Sequence, residues 1–104
     1  MRHLELTETA RADLKSIGRY SIREWGAERT AHYMTALSDV MKRLVAGTSV
    51  SREREDLRPG LRMATSGRHC IFFEEDSLRI LVIRVLHDRM DHPSHFDVGQ
   101  PNRE

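Results

Sequence analysis

A single cysteine, Cys70, stands in this chain of 104 residues. An internal disulfide is excluded, and a thiolate metal centre would need more sulfur. No apolar run approaches the ~20 residues of a membrane span. The first residues do not read as a signal peptide, so the expected compartment is a reducing cytoplasm. The formal net charge is only +1, so no global field draws the chain onto nucleic acid, and no sequence-specific nucleic-acid binding is expected. Lysine is nearly missing: of 17 basic residues only Lys15 and Lys42 are lysines, and the rest are arginines. That bias follows either from genomic base composition or from a need for planar forks that grip carboxylates and phosphates. Proline is scarce as well, and none precedes Pro59.

The chain length fits one domain, expected over residues 1–96, with 97–104 as a polar tail. Arg2–Leu6 alternates polar and apolar residues like a short strand. Thr7 suits an N-cap, and Ala10, Leu14, Ile17 and Ser21 follow at helical spacing, with Trp25 one turn beyond. Gly18 inside that helix is read as a point of close packing, and Gly26 as its stop. Ala27–Ala46 repeats the pattern, with Ala31, Met34, Leu37, Met41 and Leu44 as the stripe, widened by Tyr33 and Val40. The short connection at Trp25–Ala27 predicts an antiparallel helical hairpin, with Trp25 plugging its end.

Ser49–Gly60 mixes arginine and acidic residues and reads as a solvated loop. Leu61–Thr65 and His69–Phe73 read as strands joined at Ser66-Gly67, and Glu74–Ser77 as a polar turn. The last strand, Ile80–Leu86, is apolar on both faces except for Arg84, which marks it as central. Simple alternation puts Arg84 on one face with Ile80, Val82 and Leu86, where it must reach water or a carboxylate. The expected fold is α+β: an N-terminal strand joining a sheet edge, and a helical hairpin packed on a small antiparallel sheet.

Two groups could carry chemistry. His87, Asp88, Asp91, His92 and His95 are possible metal ligands, but their spacing matches no closed motif and Pro93 breaks any helix that would align them. A hydrogen-bonded turn is the simpler reading, and neither metal nor cofactor is expected. Arg58, Arg62, Arg68, Arg84 and Arg89 lie on or beside the predicted meander. They would either bind phosphates or an acidic surface, or pair with Glu53, Glu55 and Glu74.

Taken together, Leu14, Ile17, Tyr20 and Tyr33, then Leu57-Arg58-Pro59-Gly60-Leu61-Arg62, then Gly67-Arg68-His69 with Ile71-Phe72-Phe73, and the ending Ile83–Asp91 with His95-Phe96, resemble the ParE toxins of the RelE/ParE superfamily. The likeness runs from Leu4 to Phe96. It implies a bacterial type II toxin that inhibits DNA gyrase by binding and is neutralised by a ParD-type antitoxin. On that resemblance Arg84, His87, Arg89, Met90 and Asp91 are the expected target-facing residues, with no catalytic residue. RelE relatives instead cut mRNA on the ribosome, using Lys, Arg, Glu, His and Tyr side chains. Here Arg62, Arg84 and His87 would be the nuclease candidates, yet there is no lysine after Lys42 and no tyrosine after Tyr33. The helical hairpin and an exposed sheet edge are the available antitoxin platforms.

Overall fold

The computed structural model describes residues 2–96, and the polar tail expected at 97–104 lies outside the described residues. Its elements are β1 (His3–Leu6), α1 (Glu8–Trp25), α2 (Ala27–Ala46), β2 (Arg52–Glu53), β3 (Arg62–Ser66), β4 (His69–Glu75), β5 (Arg79–His87) and a 3-10 turn at His92–His95. The strands form one sheet in the order β1-β5-β4-β3-β2. β3, β4 and β5 make the expected antiparallel meander, and β5 is internal. The sheet is nonetheless mixed, because β1 joins β5 in parallel. A parallel neighbour requires a crossover, and the helical hairpin is part of the long connection that separates β1 from β5. No helix among the described residues is long and apolar enough to cross a membrane.

Local chemistry explains the helix ends. The Thr7 hydroxyl accepts from the Ala10 amide at 3.0 Å and starts α1. Gly26 separates the helices with φ +88°, a left-handed value that side chains disfavour, which permits a one-residue connection. The buried stripe of α2 is Thr30, Leu37, Val40, Met41 and Leu44; Ala31, expected inside, is exposed. Gly18 is also not what the spacing suggested. A methyl group there would meet nothing within 4 Å, so close packing does not explain it.

Three further boundaries differ from the sequence reading. Ser49–Gly60 is not wholly solvated: Arg52-Glu53 pairs with β3, and Leu57 is 1% exposed. Glu74 and Glu75 continue β4 rather than turning. The β3–β4 hairpin turns at Gly67-Arg68, since Ser66 and His69 already pair. Gly67 has φ +58°, and a Cβ on it would lie 2.6 Å from the Tyr33 ring. Backbone conformation and the approach of Tyr33 therefore both select glycine.

The largest departure lies in β5. Phe72 pairs with Arg84 but Phe73 pairs with Val82, leaving Ile83 as an extra residue in a β-bulge. The bulge resets the alternation. Ile80, Val82 and Val85 pack under the helices with Ala10, Ile17, Leu37, Val40, Met41, Leu44, Ile71 and Phe73. Leu86 goes to the opposite face with Leu57, Leu61, Met63, Cys70, Phe72 and Phe96, against which Ile83 also packs. Arg84 and Leu86 thus do not share a face with Ile80 and Val82, as strict alternation required; they pair with Phe72 and Cys70, both in the second cluster. The sheet is covered on both sides, by the hairpin and by the segments around Leu57–Leu61 and Phe96.

Start of α1 and bulge are fastened together. The Thr7 amide donates to the Val82 carbonyl at 3.0 Å, and its hydroxyl to the Ile83 carbonyl at 2.8 Å. Asp13 accepts from Arg84 Nε and Nη2 at 2.8 and 2.9 Å, and from the Val85 amide at 3.0 Å. The two side chains are only 20% and 14% exposed, and the carboxylate pushes the Arg84 pKa above its ordinary range.

Asp13→Ala should lower unfolding stability by about 2–4 kcal/mol in urea titration, because it strands a part-buried guanidinium and the Val85 amide. Gly67→Ala should cost about 1–3 kcal/mol and displace Tyr33, visible as altered tyrosine fluorescence or ring NMR signals. Gly18→Ala should raise stability by about 0.5–1 kcal/mol, as helix propensity alone would dictate in open space.

Candidate functional site

An open cleft of about 680 Å³ lies where α1, the β3–β4 hairpin and the end of β5 meet. Ser16, Ile17, Tyr20, Ser21 and Trp25 of α1 line one side; Arg68, His69, His87, Arg89 and Met90 line the other. Tyr20, Trp25 and Met90 are among the exposed large apolar residues of the molecule, at 54%, 38% and 46%. Trp25 does not close off the hairpin end as expected. Its ring meets Tyr33 edge-on at 5.7 Å and helps wall the cleft.

A ladder of rings crosses from α2 to β5. Tyr33 meets His69 at 5.5 Å, and His69 meets His87 at 5.3 Å, each edge-on. The two histidines are direct cross-strand partners. The Tyr33 hydroxyl lies 2.6 Å from His69 Nδ1, accepts from the Arg68 amide at 2.9 Å, and lies 3.3 Å from the Ser66 carbonyl. Tyr33 thus anchors the turn that carries Arg68 and His69. Burial pushes the His69 pKa below its usual value of 6.5, and neighbouring His87 pushes it the same way, against a smaller opposing pull from Asp88. Burial raises the Tyr33 pKa, so its hydroxyl stays protonated at neutral pH.

The expected target-facing residues divide. His87, Arg89 and Met90 line the cleft. Arg84 does not; its guanidinium is held by Asp13. Asp91 caps the 3-10 turn and accepts there, through its carbonyl, from the Ser94 amide and hydroxyl. The nuclease candidates are not brought together. Arg62 bonds Ser51 and sits near Glu53 and Glu75. Its partner on β4 is Phe73, whereas His87 pairs with His69, four residues or about 13 Å along the strand.

Of the other arginines, Arg58 pairs with Glu74 at 3.0 Å and Arg68 approaches Asp88 at 3.7 Å. Ion pairing thus absorbs most of the proposed basic cluster. Arg89 makes no ion pair among the described residues. The histidine-aspartate segment does not converge either. His92 Nε2 lies 3.0 Å from the His87 carbonyl, its ring packs on Phe72 at 5.1 Å, and among the described residues no three His, Cys, Asp or Glu side chains are placed to hold a metal ion. Tyr33 and the α1 wall do not stand out in the sequence as site residues. The hairpin pairing is what sets His69 against His87.

Because folding depresses the His69 pKa, the unfolded chain binds the extra proton more readily. The native state should keep its full margin above pH 6.5 and lose part of it as pH falls through that value toward the folded pKa. Urea midpoints at pH 7.5 and 5.5 should differ in that sense, and His69→Gln should shrink the difference.

Comparison with known proteins gives this cleft its context. Residues 4–92 match the family model described as ParE toxin of type II toxin-antitoxin system, parDE. The chain is 40% identical to Toxin ParE of Escherichia coli over 87 residues, covering 83% of this chain and 84% of that protein. It is 34% identical to Toxin ParE1 of Caulobacter vibrioides over 96 residues, covering 92% and 99%. Among solved structures it resembles the chromosomal ParDE toxin-antitoxin system from P. aeruginosa, with TM-score 0.71, 25% identity and coverage of 84% and 96%. The E. coli DinJ-YafQ complex shares the fold alone, at TM-score 0.59 and 12% identity, covering 98% of this chain and 100% of that one. With the family model spanning nearly all of the fold, the chain belongs to the ParE toxin family of type II toxin-antitoxin systems.

Proposed function

We propose that this protein is a cytoplasmic toxin that inhibits DNA gyrase by direct binding, without chemistry of its own, and that a ParD-type antitoxin neutralises it. The observation that carries the reading is the end of β5. There Arg89, without an ion pair among the described residues, and Met90, half exposed, stand together at the mouth of an apolar cleft. Interface anchors have this composition: a long apolar side chain and an arginine beside a pocket. His87 supports the turn and faces the cleft, and Asp91 begins the next turn. Arg84 contributes from behind, as the positioning residue that fixes β5 to α1.

A second reading, ribosome-dependent mRNA cleavage, has one observation in its favour. Two imidazoles and a tyrosine hydroxyl share one wall of the fold beside Arg68 and Arg89, a set capable of proton transfer. Its acid-base centre would be His87 with His69, not the Arg62, Arg84 and His87 set.

The deciding experiment is a supercoiling assay with purified gyrase, ATP and relaxed plasmid. Inhibition should appear with the wild-type protein and disappear when the antitoxin is added. Arg89→Ala and Met90→Ala should each weaken inhibition about tenfold or more while leaving the unfolding midpoint unchanged. Full potency in both variants would refute the site. Intact gyrase activity together with mRNA fragments in a translating extract, lost on His87→Ala, would establish the second reading instead.

A further inference from the structure

The turn that carries Arg89 and Met90 is held by an atom that can change its role. His87 Nδ1 lies 3.1 Å from the Arg89 amide and also 3.1 Å from Asp88 Oδ1. A neutral ring with its proton on Nε2 accepts from the amide through Nδ1. An imidazolium has no lone pair there; its Nδ1–H donates to the Asp88 carboxylate instead. The two bonds are mutually exclusive.

We propose that His87 is a proton-operated latch for the Arg89–Met90 turn. Neutral His87 holds the turn in its cleft-lining position, and protonated His87 releases the Arg89 amide and turns toward Asp88. This regulation rests on the target-binding reading given above, since it acts on the same two anchors.

The surroundings of the ring supply the rest of the device. His69 of β4 stands edge-on at 5.3 Å, so a second proton on the pair meets like charge. Tyr33 of α2 holds His69 Nδ1 at 2.6 Å and is neutral. Arg68 of the hairpin approaches Asp88 at 3.7 Å and would share that carboxylate with the imidazolium. Arg89 itself adds a cation, Tyr20 and Trp25 of α1 face the cleft, and His92 meets the His87 carbonyl rather than its ring. Two backbone contacts of His87 stay in place in either state: the His69 register and the Met90 amide on the His87 carbonyl at 3.1 Å. The released segment is therefore short, confined to the Arg89 end of the turn.

The test uses the intact protein alone, then with gyrase. In a 15N NMR titration from pH 8 to 5, the Arg89 amide should move in step with the His87 ring signals, and the ring nitrogen that gains the proton should be Nδ1. His87→Gln should abolish the movement, and in that variant the His69 midpoint should rise, because the neighbouring imidazole is one cause of its depression. Gyrase binding should weaken about three- to tenfold between pH 7.5 and 5.5, the loss of one hydrogen bond's worth of order, and this ratio should collapse toward one in His87→Gln. An Arg89 amide indifferent to His87 protonation overturns the latch, whatever gyrase does. A moving amide with unchanged gyrase affinity overturns its regulatory role. If gyrase is not bound at any pH, the target assignment fails, and the amide titration still decides the latch.

Discussion

Everything distinctive about this fold passes through the contact between Asp13 and Arg84. The pairing of β1 with β5 ends at Val82, so the Val85 amide beyond the bulge takes a side-chain acceptor, and Arg84 stands on the most apolar strand of the chain. One carboxylate answers both, with two oxygens and three donors. Neither group is tolerable alone: a part-buried guanidinium needs a counter-charge, and a strand amide needs an acceptor. Thr7 adds its amide and hydroxyl to the neighbouring carbonyls, so the first two turns of α1 are stitched to the bulge. The helix therefore sits at a fixed height along β5, and that height decides which α1 side chains face the end of the strand.

The sheet has two cores, one on each face. Upstream of the bulge, β5 faces the helices through Ile80 and Val82; downstream, Leu86 faces the other side. That second face is closed by Leu57, Leu61 and Phe96, with Phe96 edge-on to Phe72 at 5.0 Å. Closing it pulls the chain after His87 back across the sheet, and the intervening residues must turn sharply. Arg89 and Met90 are exposed because they occupy that turn, between a strand bound to α1 and a segment bound to Phe72. The apolar cleft beside them is the space left where α1 ends and the β3–β4 hairpin of Arg68 and His69, anchored by Tyr33 of α2, begins.

Much of this was legible in the sequence, and the misses have physical causes. Helix periodicity and the Thr7 cap placed both helices, since local hydrogen bonding and one-sided burial leave clear spacing. The arginine on β5 announced that a carboxylate must lie near it, but Asp13 is 71 residues away and nothing local names it. A bulge is invisible to alternation, which is why Leu86 was assigned to the wrong face. Leu57 looked solvated because it is one apolar residue among charges, and only the Phe72 face explains its burial. The family-like ending singles out His87, Arg89 and Met90, and these three line the cleft; Tyr33 was not singled out, because its place beside His69 arises from the packing of α2 on the hairpin turn rather than from neighbours in sequence.

The arginine bias reads differently once partners are known. Arg58, Arg68 and Arg84 each meet a carboxylate on another element, Arg62 leans on Ser51, and Arg54 pairs with Asp56 while lying over Phe72. A fork that satisfies an acid and covers an aromatic face at once is something lysine's point charge does poorly. Short loops with few apolar residues can then be fixed to a small sheet by geometry rather than by area. Other arginines, Arg11, Arg19, Arg43 and Arg52, have no such tie among the described residues. Arg89 has none among the described residues, its amide rests on a titratable ring, and it borders the cleft. Among the arginines without an ion pair in the described residues, Arg89 is the one that lines the cleft, and a side chain kept out of the internal network there remains available to another molecule.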